Sequence, residues 1–275
     1  MKYRALALTI AVTLLSVGCN KQEKPQPKTQ EASIQNTPVN PEEIKPIAQK
    51  LDGLWISDEY INTLEKTKQP YAYAEHASKL FGFSVNETGL TGSNPQLEGF
   101  SIYEGGYLYP LEFNAKGYFE IDRKKRNKYP ESDLIELVPL ANGKAEITYT
   151  KSGKKDVFRK IEASGSHDPM AITHAISAAV FAGKYTDKAS GKTITFATDG
   201  TVTGFGNHKH YGVLYAFEDI QFDVIYFSKN DTTPDTTEYH FVFEGNTVTL
   251  YPVINHKTEM DYTFSPEPAF TWVKK

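Results

Sequence analysis

The segment TITFATDGTVTG, residues 193–204, places two short runs of alternating apolar and polar residues on either side of Asp199-Gly200. Period-two alternation around a two-residue Asp-Gly turn is typical of an antiparallel β-hairpin. Tyr239–Leu250 repeats the pattern, with Gly245-Asn246 between its two runs. Many such strands in succession predict a mainly β fold, as a sandwich or a barrel.

An internal repeat extends this pattern over the chain. LDGLWIS (51–57) aligns with FAGKYTD (181–187), and FSVNETGLTG (83–92) aligns with TFATDGTVTG (195–204). AEITYT (145–150) resembles NTVTLYP (246–252), and DVFRKI (156–161) resembles AFTWVK (269–274). Each copy is long enough to bury its own core. The repeat therefore predicts two antiparallel β-units, at 51–163 and 183–275.

Two helices interrupt the β pattern. One is an insertion in the first copy, where Ser57 suits the N-cap and Tyr60, Ile61 and Leu64 form one apolar face. The other occupies 164–182 and connects the units, with Asp168 at its N-cap and Gly183 just past its end. Its apolar face predicts that it packs on a sheet or plugs one.

The opening strand of each copy has the form Gly-x-aromatic, with Trp55 after Gly53 and Tyr185 after Gly183. This opening, followed by a meander, resembles lipocalin-like (calycin) domains. The resemblance implies that Trp55 and Tyr185 are aromatic residues of a barrel floor, with a basic residue of the last strand over each ring. Arg159 or Lys160 fits this role in the first copy, whereas Trp272-Val273-Lys274 leaves the second copy open. An unrelated β-sandwich and one larger barrel built from both halves are the alternatives.

The N-terminus has the form of an export signal. Lys2 and Arg4 precede an apolar run of about 13 residues, which is too short to span a bilayer and suits a signal peptide. Ser16-Val17-Gly18-Cys19 resembles the lipobox of bacterial lipoproteins, although that pattern usually has Leu where Ser16 stands. The resemblance implies a signal peptide at 1–18, lipidation of Cys19 and a lipid-anchored protein of the bacterial envelope. Asn20 favours the outer membrane, with the folded part facing the periplasm or the cell surface.

Cysteine usage and charge narrow the class of protein further. Cys19 is the only cysteine, so no intramolecular disulfide can form. Residues 19–50 contain five prolines and few large apolar side chains, which predicts a disordered tether. Without residues 1–18 the chain has 28 basic and 34 acidic residues, a net charge of −6. Such a balance argues against nucleic-acid binding, and the membrane is the partner implied through Cys19.

Three histidines form the candidate metal or haem site. GNHKHYG, residues 206–212, contains His208 and His210, which strand alternation predicts to lie on the outer face. His240 also alternates away from its aromatic neighbours Tyr239 and Phe241 and could join them from another strand. Zinc requires three or four ligands, so a solvated pair of histidines without a cofactor is the competing interpretation.

Two other groups of residues have side chains of the types found in catalytic sites. Ser166-His167-Asp168 has the residue types of a hydrolase triad, but contiguous residues cannot adopt the required geometry, so capping of the following helix is favoured. Glu98, Glu104 and Glu112 lie near turns, and no spacing fixes the separation that glycosidase chemistry needs.

Taken together, these features predict a non-enzymatic protein. The predicted activity is binding of a small apolar or amphipathic ligand, or of an envelope partner. The alternatives are zinc or haem capture through His208, His210 and His240, and hydrolysis of envelope glycan or lipid.

Overall fold

A computed structural model describes residues 41–74, 80–101, 106–122, 135–161, 167–168, 170–215, 217, 220–230, 236–256 and 261–275. The predicted signal peptide, Cys19 and most of the predicted tether lie outside these ranges. The helices are α1 (Pro41–Leu51), α2 (Asp58–Thr67), α3 (Pro70–Ala74), α4 (Glu87–Thr91) and α5 (Met170–Phe181). No helix within the described ranges is long and apolar enough to cross a membrane.

The first β-unit is a closed antiparallel barrel in which each strand pairs with its neighbour in sequence and the last pairs with the first. Its strands are β1 (Gly53–Ser57), β2 (Gly82–Val85), β3 (Gln96–Phe100), β4 (Gly106–Phe113), β5 (Phe119–Ile121), β6 (Ile135–Pro139), β7 (Lys144–Tyr149) and β8 (Lys155–Lys160). A short 3₁₀ turn, Ala141–Gly143, connects β6 and β7. Inward-facing residues such as Phe83, Phe119 and Phe158 fill the barrel.

The second β-unit is an antiparallel sheet with the strand order β11-β10-β9-β17-β15-β14-β13-β12, and β16 pairs with β15 beside it. Its strands are β9 (Gly183–Asp187), β10 (Thr193–Phe196), β11 (Val202–Thr203), β12 (His210–Val213), β13 (Val224–Ser228), β14 (Thr236–Glu244), β15 (Thr247–His256), β16 (Asp261–Phe264) and β17 (Phe270–Lys274). A bridge between Thr201 and His210 joins the two end strands. The prediction of two β-barrel units is therefore confirmed, and neither the sandwich nor the single larger barrel is found.

The two predicted helices are also present. Ser57 Oγ accepts a hydrogen bond from the Tyr60 backbone N–H at 3.3 Å, and Tyr60, Ile61 and Leu64 are buried, so α2 has the predicted cap and apolar face. Asp168 Oδ1 accepts from the Met170 N–H at 3.0 Å at the start of α5. Phe181, at the other end of α5, packs against Phe196 and Phe241 of the second barrel.

Helix α1 corrects the prediction that the disordered tether continues to residue 50. Pro41 is tolerated in the first turn of a helix, and Glu42 and Glu43 suit its positive end. The apolar face of α1 packs on the core of the first barrel, where Ala48 and Leu51 are fully buried. This burial outweighs the helix-breaking effect of Pro46, which lies inside the helix.

The structure extends the internal repeat and corrects its register. Helix α1 ends just before Gly53 as α5 ends just before Gly183, so each copy consists of a helix followed by a barrel. Trp55 is paired with Phe83 and Lys160, whereas Tyr185 is paired with Ile194 and Lys274. Phe83 therefore corresponds to Ile194 and Lys160 to Lys274, one residue away from the alignment that the sequence suggested. A slip of one residue exchanges the two faces of a strand. The register therefore decides which side chains point into the barrel and which point outward.

Both copies share one layer of core. Leu54, Ile56 and Phe81 lie on the outer face of the first barrel and belong to the same apolar cluster as α2, α5 and the interior of the second barrel. Phe81 contacts Tyr215 with ring centroids 5.3 Å apart, and Tyr71 contacts Phe217 at the same distance. We call this layer the seam.

Candidate functional site

An open cleft of about 500 Å³ lies at the edge of the seam, between the first barrel and α5. Its apolar wall consists of isoleucine and alanine side chains: Ile56, Ile61, Ile161, Ala175, Ala178 and Ala179. Its polar rim consists of Glu65, Lys68, Arg159, Lys160 and Thr198. Pockets that hold small molecules have this size and this combination of apolar walls with a few polar groups.

Lys68 connects the two sides of the cleft. It ends α2 in the left-handed conformation, with φ of 59°, and its N–H donates to the Leu64 carbonyl at 3.0 Å. Its Nζ donates to the Ala179 carbonyl at 2.5 Å, in the last turn of α5. A cation is favourable there, because the carbonyls of a helix C-terminus lack partners and carry partial negative charge. Burial lowers the pKa of Lys68, and the nearby charge of Lys274 lowers it further.

The predicted barrel-floor residues lie at equivalent positions in the two copies. The Nζ atom of Lys160 lies 6.0 Å from the ring centroid of Trp55, and that of Lys274 lies 5.7 Å from the ring centroid of Tyr185. Both rings are fully buried. Lys160, rather than Arg159, therefore occupies the basic position that the resemblance implied, and Lys274 occupies it in the second copy.

Glycine makes room for both lysine side chains. A Cβ atom on Gly53 would lie 2.6 Å from Lys160 Cε, and one on Gly183 would lie 2.9 Å from Lys274 Cε. Both glycines also have positive φ, at 124° and 138°, which a residue with a Cβ rarely adopts. The Gly-x-aromatic pattern is thus explained by the lysine stem that crosses the glycine.

Arg159 contributes to the rim of the cleft, but its guanidinium group already has partners. Its Nε donates to Asp58 Oδ1, and its Nη2 donates to Asn62 Oδ1 at 2.7 Å. Lys144 Nζ contacts the other oxygen of Asp58 at 2.7 Å. Burial raises the pKa of Asp58, but the hydrogen bonds from Lys144 and Arg159 outweigh burial, so the pKa lies below its usual value.

Among the described residues, aromatic and aliphatic side chains pack in the interiors of both barrels. In the first barrel, the Phe83 ring packs against Trp55 and Phe158, with centroids 5.7 and 5.0 Å away. In the second barrel, the rings of Phe205 and Trp272 lie 5.1 Å apart. Small barrels are commonly packed in this way and leave a ligand to bind elsewhere. The cleft at the seam is therefore a better candidate site than either barrel interior.

His208 is half-buried and packs against aromatic side chains of the second barrel, rather than projecting into solvent as the sequence predicted. The His208 N–H donates to the Phe205 carbonyl at 3.1 Å, and this turn folds the imidazole back over the barrel. Its ring stacks on Phe205 at 5.2 Å and lies 5.6 Å from Phe227. None of the described residues forms a hydrogen bond with its buried Nδ1. Burial lowers the pKa of His208, and the charge of Lys229 adds to this effect.

His210 and His240 lie on the two strands that flank β13. His210 is opposite Ser228 and His240 is opposite Val224, so four residues, about 13 Å, separate them along the strand direction. The Nδ1–H of His240 donates to the Asp223 carbonyl at 2.9 Å, and the ring lies 4.2 Å from that of Phe264. The structure thus does not bring the three histidines together. Within the described ranges, no three His, Cys, Asp or Glu side chains are grouped so that they could hold a metal ion.

The described members of the two candidate catalytic groups do not form a common site. His167 Nδ1 lies 3.4 Å from Ser84 Oγ, and its Nε2 lies 3.4 Å from both Asp52 Oδ1 and Asn86 Nδ2. These long contacts fix the imidazole against β2 and the start of α4, and Asp168 caps α5. Glu98 and Glu112 alternate with the buried residues Leu97 and Leu111, so they face away from the barrel core. Ser166 and Glu104 lie outside the described residues.

Comparison of the chain with protein-family models, with curated proteins and with solved structures found no match. The candidate site therefore depends on the geometry of the chain itself. Sequence reasoning missed the cleft because its walls come from both copies. The available signals were Lys68 at the end of the inserted helix and the small residues Ala175, Ala178 and Ala179 in α5.

Proposed function

We propose that this protein is an exported, lipid-anchored binding protein that holds the hydrocarbon part of a small amphipathic ligand in the cleft at the seam. The observation that carries the proposal is an open, isoleucine- and alanine-walled cleft beside two barrels whose described interior side chains pack on one another.

The apolar wall supplies the driving force for binding. Each CH₂ group that moves from water to an apolar surface contributes about 0.8 kcal/mol. A hydrocarbon segment of only a few carbons therefore offsets a large part of the entropic cost of association. Lys68, Lys160 and Glu65 line the same cleft, so the polar end of such a ligand has charged side chains to contact.

A single substitution that fills the cleft tests this function. Ala178 lines the cleft and is partly exposed, so Ala178→Phe places a ring where the hydrocarbon would lie. We expect the affinity for amphiphiles with chains of 10 to 14 carbons to fall at least about tenfold, which corresponds to about 1.4 kcal/mol. The measurement is displacement of an environment-sensitive fluorescent fatty acid from the purified protein.

The matched control for this experiment is Ala189→Phe. Ala189 is exposed in the turn after β9 and does not line the cleft. Affinity should be unchanged in this variant, and both variants should keep the melting temperature of the parent protein. Equal binding by the parent and Ala178→Phe would contradict the proposed site.

Export and anchoring are the second part of the proposal. They rest on the apolar run before Cys19 and on the lipobox resemblance of residues 16–19. We expect a palmitate analogue to label the protein in its host, and Cys19→Ser to abolish the label and release the protein from membranes. Labelling of both forms to the same extent would show that Cys19 is not the anchor.

A further inference from the structure

The outer face of the second barrel carries a histidine whose tautomer is fixed. His240 lies in β14, directly opposite Tyr251 of β15. Its Nδ1 atom is 2.9 Å from the Asp223 carbonyl oxygen, and because a carbonyl only accepts, Nδ1 carries the proton and donates it. Burial lowers the pKa of His240, and the hydrogen bond to Asp223 only partly opposes this effect, so the ring is mostly neutral at pH 7. The lone pair of the imidazole is therefore on Nε2.

The Nε2 atom of His240 is accessible to a ligand. None of the described residues forms a hydrogen bond with it, and it is not one of the buried polar atoms. Histidines that bind metals almost always donate the other ring N–H to a backbone carbonyl, a carboxylate or water. That bond fixes the orientation of the ring and raises its basicity as a ligand. The hydrogen bond to Asp223 thus prepares His240 to bind a metal through Nε2.

Aromatic side chains surround the imidazole on the same outer face. The rings of Phe264 and Tyr251 lie 4.2 and 5.9 Å from that of His240. Phe222, in the loop before β13, lies 5.2 Å from His240 and 5.1 Å from Phe264. Phe264 is 40% exposed, and the other three rings are half-buried. These four residues, which we call the His240 cluster, therefore present an apolar surface around a metal-binding nitrogen atom.

The number of protein ligands decides which metal this cluster can hold. Zinc requires three or four ligands, and no such group of His, Cys, Asp or Glu side chains occurs in the part of the chain that the structure describes. In haem the porphyrin supplies the equatorial nitrogens, so a single histidine is enough to hold the iron, as in globins and peroxidases. The porphyrin is also planar and largely apolar, and aromatic side chains are suited to contact it.

From this geometry we infer that the outer face of the second barrel binds haem, with His240 Nε2 as the axial ligand of the iron and with Phe264 and Tyr251 against the porphyrin. None of the residues of the His240 cluster lines the cleft at the seam. The haem site is therefore separate from the site of the proposed function and does not depend on it.

Titration of the purified full chain with haemin tests this inference. Coordination by a histidine shifts the Soret absorption band of haemin, and the shift should saturate at an equimolar amount. Iron-free protoporphyrin IX has the same ring without the metal, so it should bind at least about tenfold more weakly. If the two compounds bind with equal affinity, the cluster is only an apolar surface and the inference is wrong.

Substitution of the axial ligand gives the second test. In His240→Ala the affinity for haemin should fall at least about tenfold, whereas binding of protoporphyrin should not change. His210→Ala removes another half-buried histidine of the same barrel and is the matched control, with the haemin spectrum of the parent. Tyrosine is also a haem ligand, so His240→Tyr should bind haemin with a changed spectrum. A changed spectrum with binding retained cannot come from damage to the fold.

The outcomes separate this inference from the proposed function. If His240→Ala binds haemin as His210→Ala does, His240 is not the ligand and the inference is wrong. If Ala178→Phe removes haemin binding and His240→Ala does not, haemin occupies the cleft, so the inference is wrong and the proposed function stands. If His240→Ala fails to fold, the comparison of haemin with protoporphyrin on the parent protein still decides.

Discussion

Asp223 is an acidic residue that the fold places at the seam, on the loop before β13. Its Oδ1 accepts a hydrogen bond from the Tyr71 N–H of α3 at 2.7 Å, which joins the insertion of the first barrel to the second barrel. Burial raises the pKa of Asp223 to about 7, and the hydrogen bond from Tyr71 only partly opposes this effect. The fold therefore holds an acid that is half protonated near neutral pH.

The raised pKa predicts a pH-dependent loss of stability. Between about pH 4, the usual pKa of Asp, and pH 7, the folded state binds more protons than the unfolded state, so stability falls as the pH rises through this window. We expect Asp223→Asn, which keeps an acceptor for Tyr71, to match the parent at pH 4 and to exceed it at pH 8. The gain is at most about 4 kcal/mol, and solvent contact reduces it. Chemical denaturation at a series of pH values measures it.

Asp199→Asn is the control, because the pKa of Asp199 is shifted in the opposite direction from that of Asp223. Hydrogen bonds from the Thr201 hydroxyl and N–H lower the pKa of Asp199, so its charged form stabilises the fold above its usual pKa. The Asp199→Asn variant should thus gain nothing at pH 8. If Asp223→Asn follows the same profile as Asp199→Asn, Asp223 is not buried as a neutral acid.

At the scale of elements, α1 and α5 play the same part in the two copies. The Asp52 N–H donates to the Ala48 carbonyl at 2.8 Å, and the Ala182 N–H donates to the Ala178 carbonyl at 3.0 Å, so both helices end with the same bond before their glycine. In addition, Trp55 Nε1 donates to the Leu51 carbonyl at 2.7 Å and ties α1 to the barrel floor. Each barrel is therefore preceded by a helix that packs on its core.

This arrangement predicts that α1 contributes to the stability of the first barrel. Ala48 is fully buried, so Ala48→Asp places an unpaired charge in the core and should cost more than about 2 kcal/mol in denaturant unfolding. Gln49→Asp makes the same change of charge at the next, exposed position and should cost no more than about 0.5 kcal/mol. Equal effects of the two substitutions would mean that α1 is not docked.

At the scale of the whole molecule, the seam makes the two barrels one cooperative unit. The outer face of β1 and β2, the helices α2 and α5, and the interior of the second barrel form a single apolar cluster. Domains that share a core of this kind unfold together, whereas domains joined only by a linker unfold separately.

The two tryptophans of the chain report on this cooperativity. Trp55 is buried in the first barrel and Trp272 in the second. In Trp272→Phe the fluorescence reports the first barrel, and in Trp55→Phe it reports the second. Phe81→Ala is then added to each variant. Because Phe81 packs in the shared layer, the midpoints of both barrels should fall together, and the free energy of unfolding should fall by about 3–5 kcal/mol. A second barrel whose midpoint ignores Phe81→Ala would show that the barrels are independent.

Much of the fold was readable from local patterns. Alternation around Asp199-Gly200 and Gly245-Asn246 predicted the hairpins, and the repeat predicted two barrels, because both signals can be read from the order of the residues without knowing their long-range contacts. The register was wrong by one residue, since similar β-strand sequences align almost equally well when shifted. Helix α1 was missed because its prolines disfavour a helix locally, whereas its stability comes from packing of Ala48 and Leu51 on a distant core.

The candidate site also combines features that the local sequence predicts with features that only long-range packing decides. The sequence by itself determined the Gly-x-aromatic floors and the caps of α2 and α5, and it contains one thiol, that of Cys19. Only the tertiary structure decided that Lys68 reaches the Ala179 carbonyl, that the His208 ring stacks on Phe205 and that a cleft lies at the seam. The physical reason is that a pocket is formed by residues far apart in the chain. Lys68, Lys160 and Ala178 line one cleft only after the two barrels have closed and packed together.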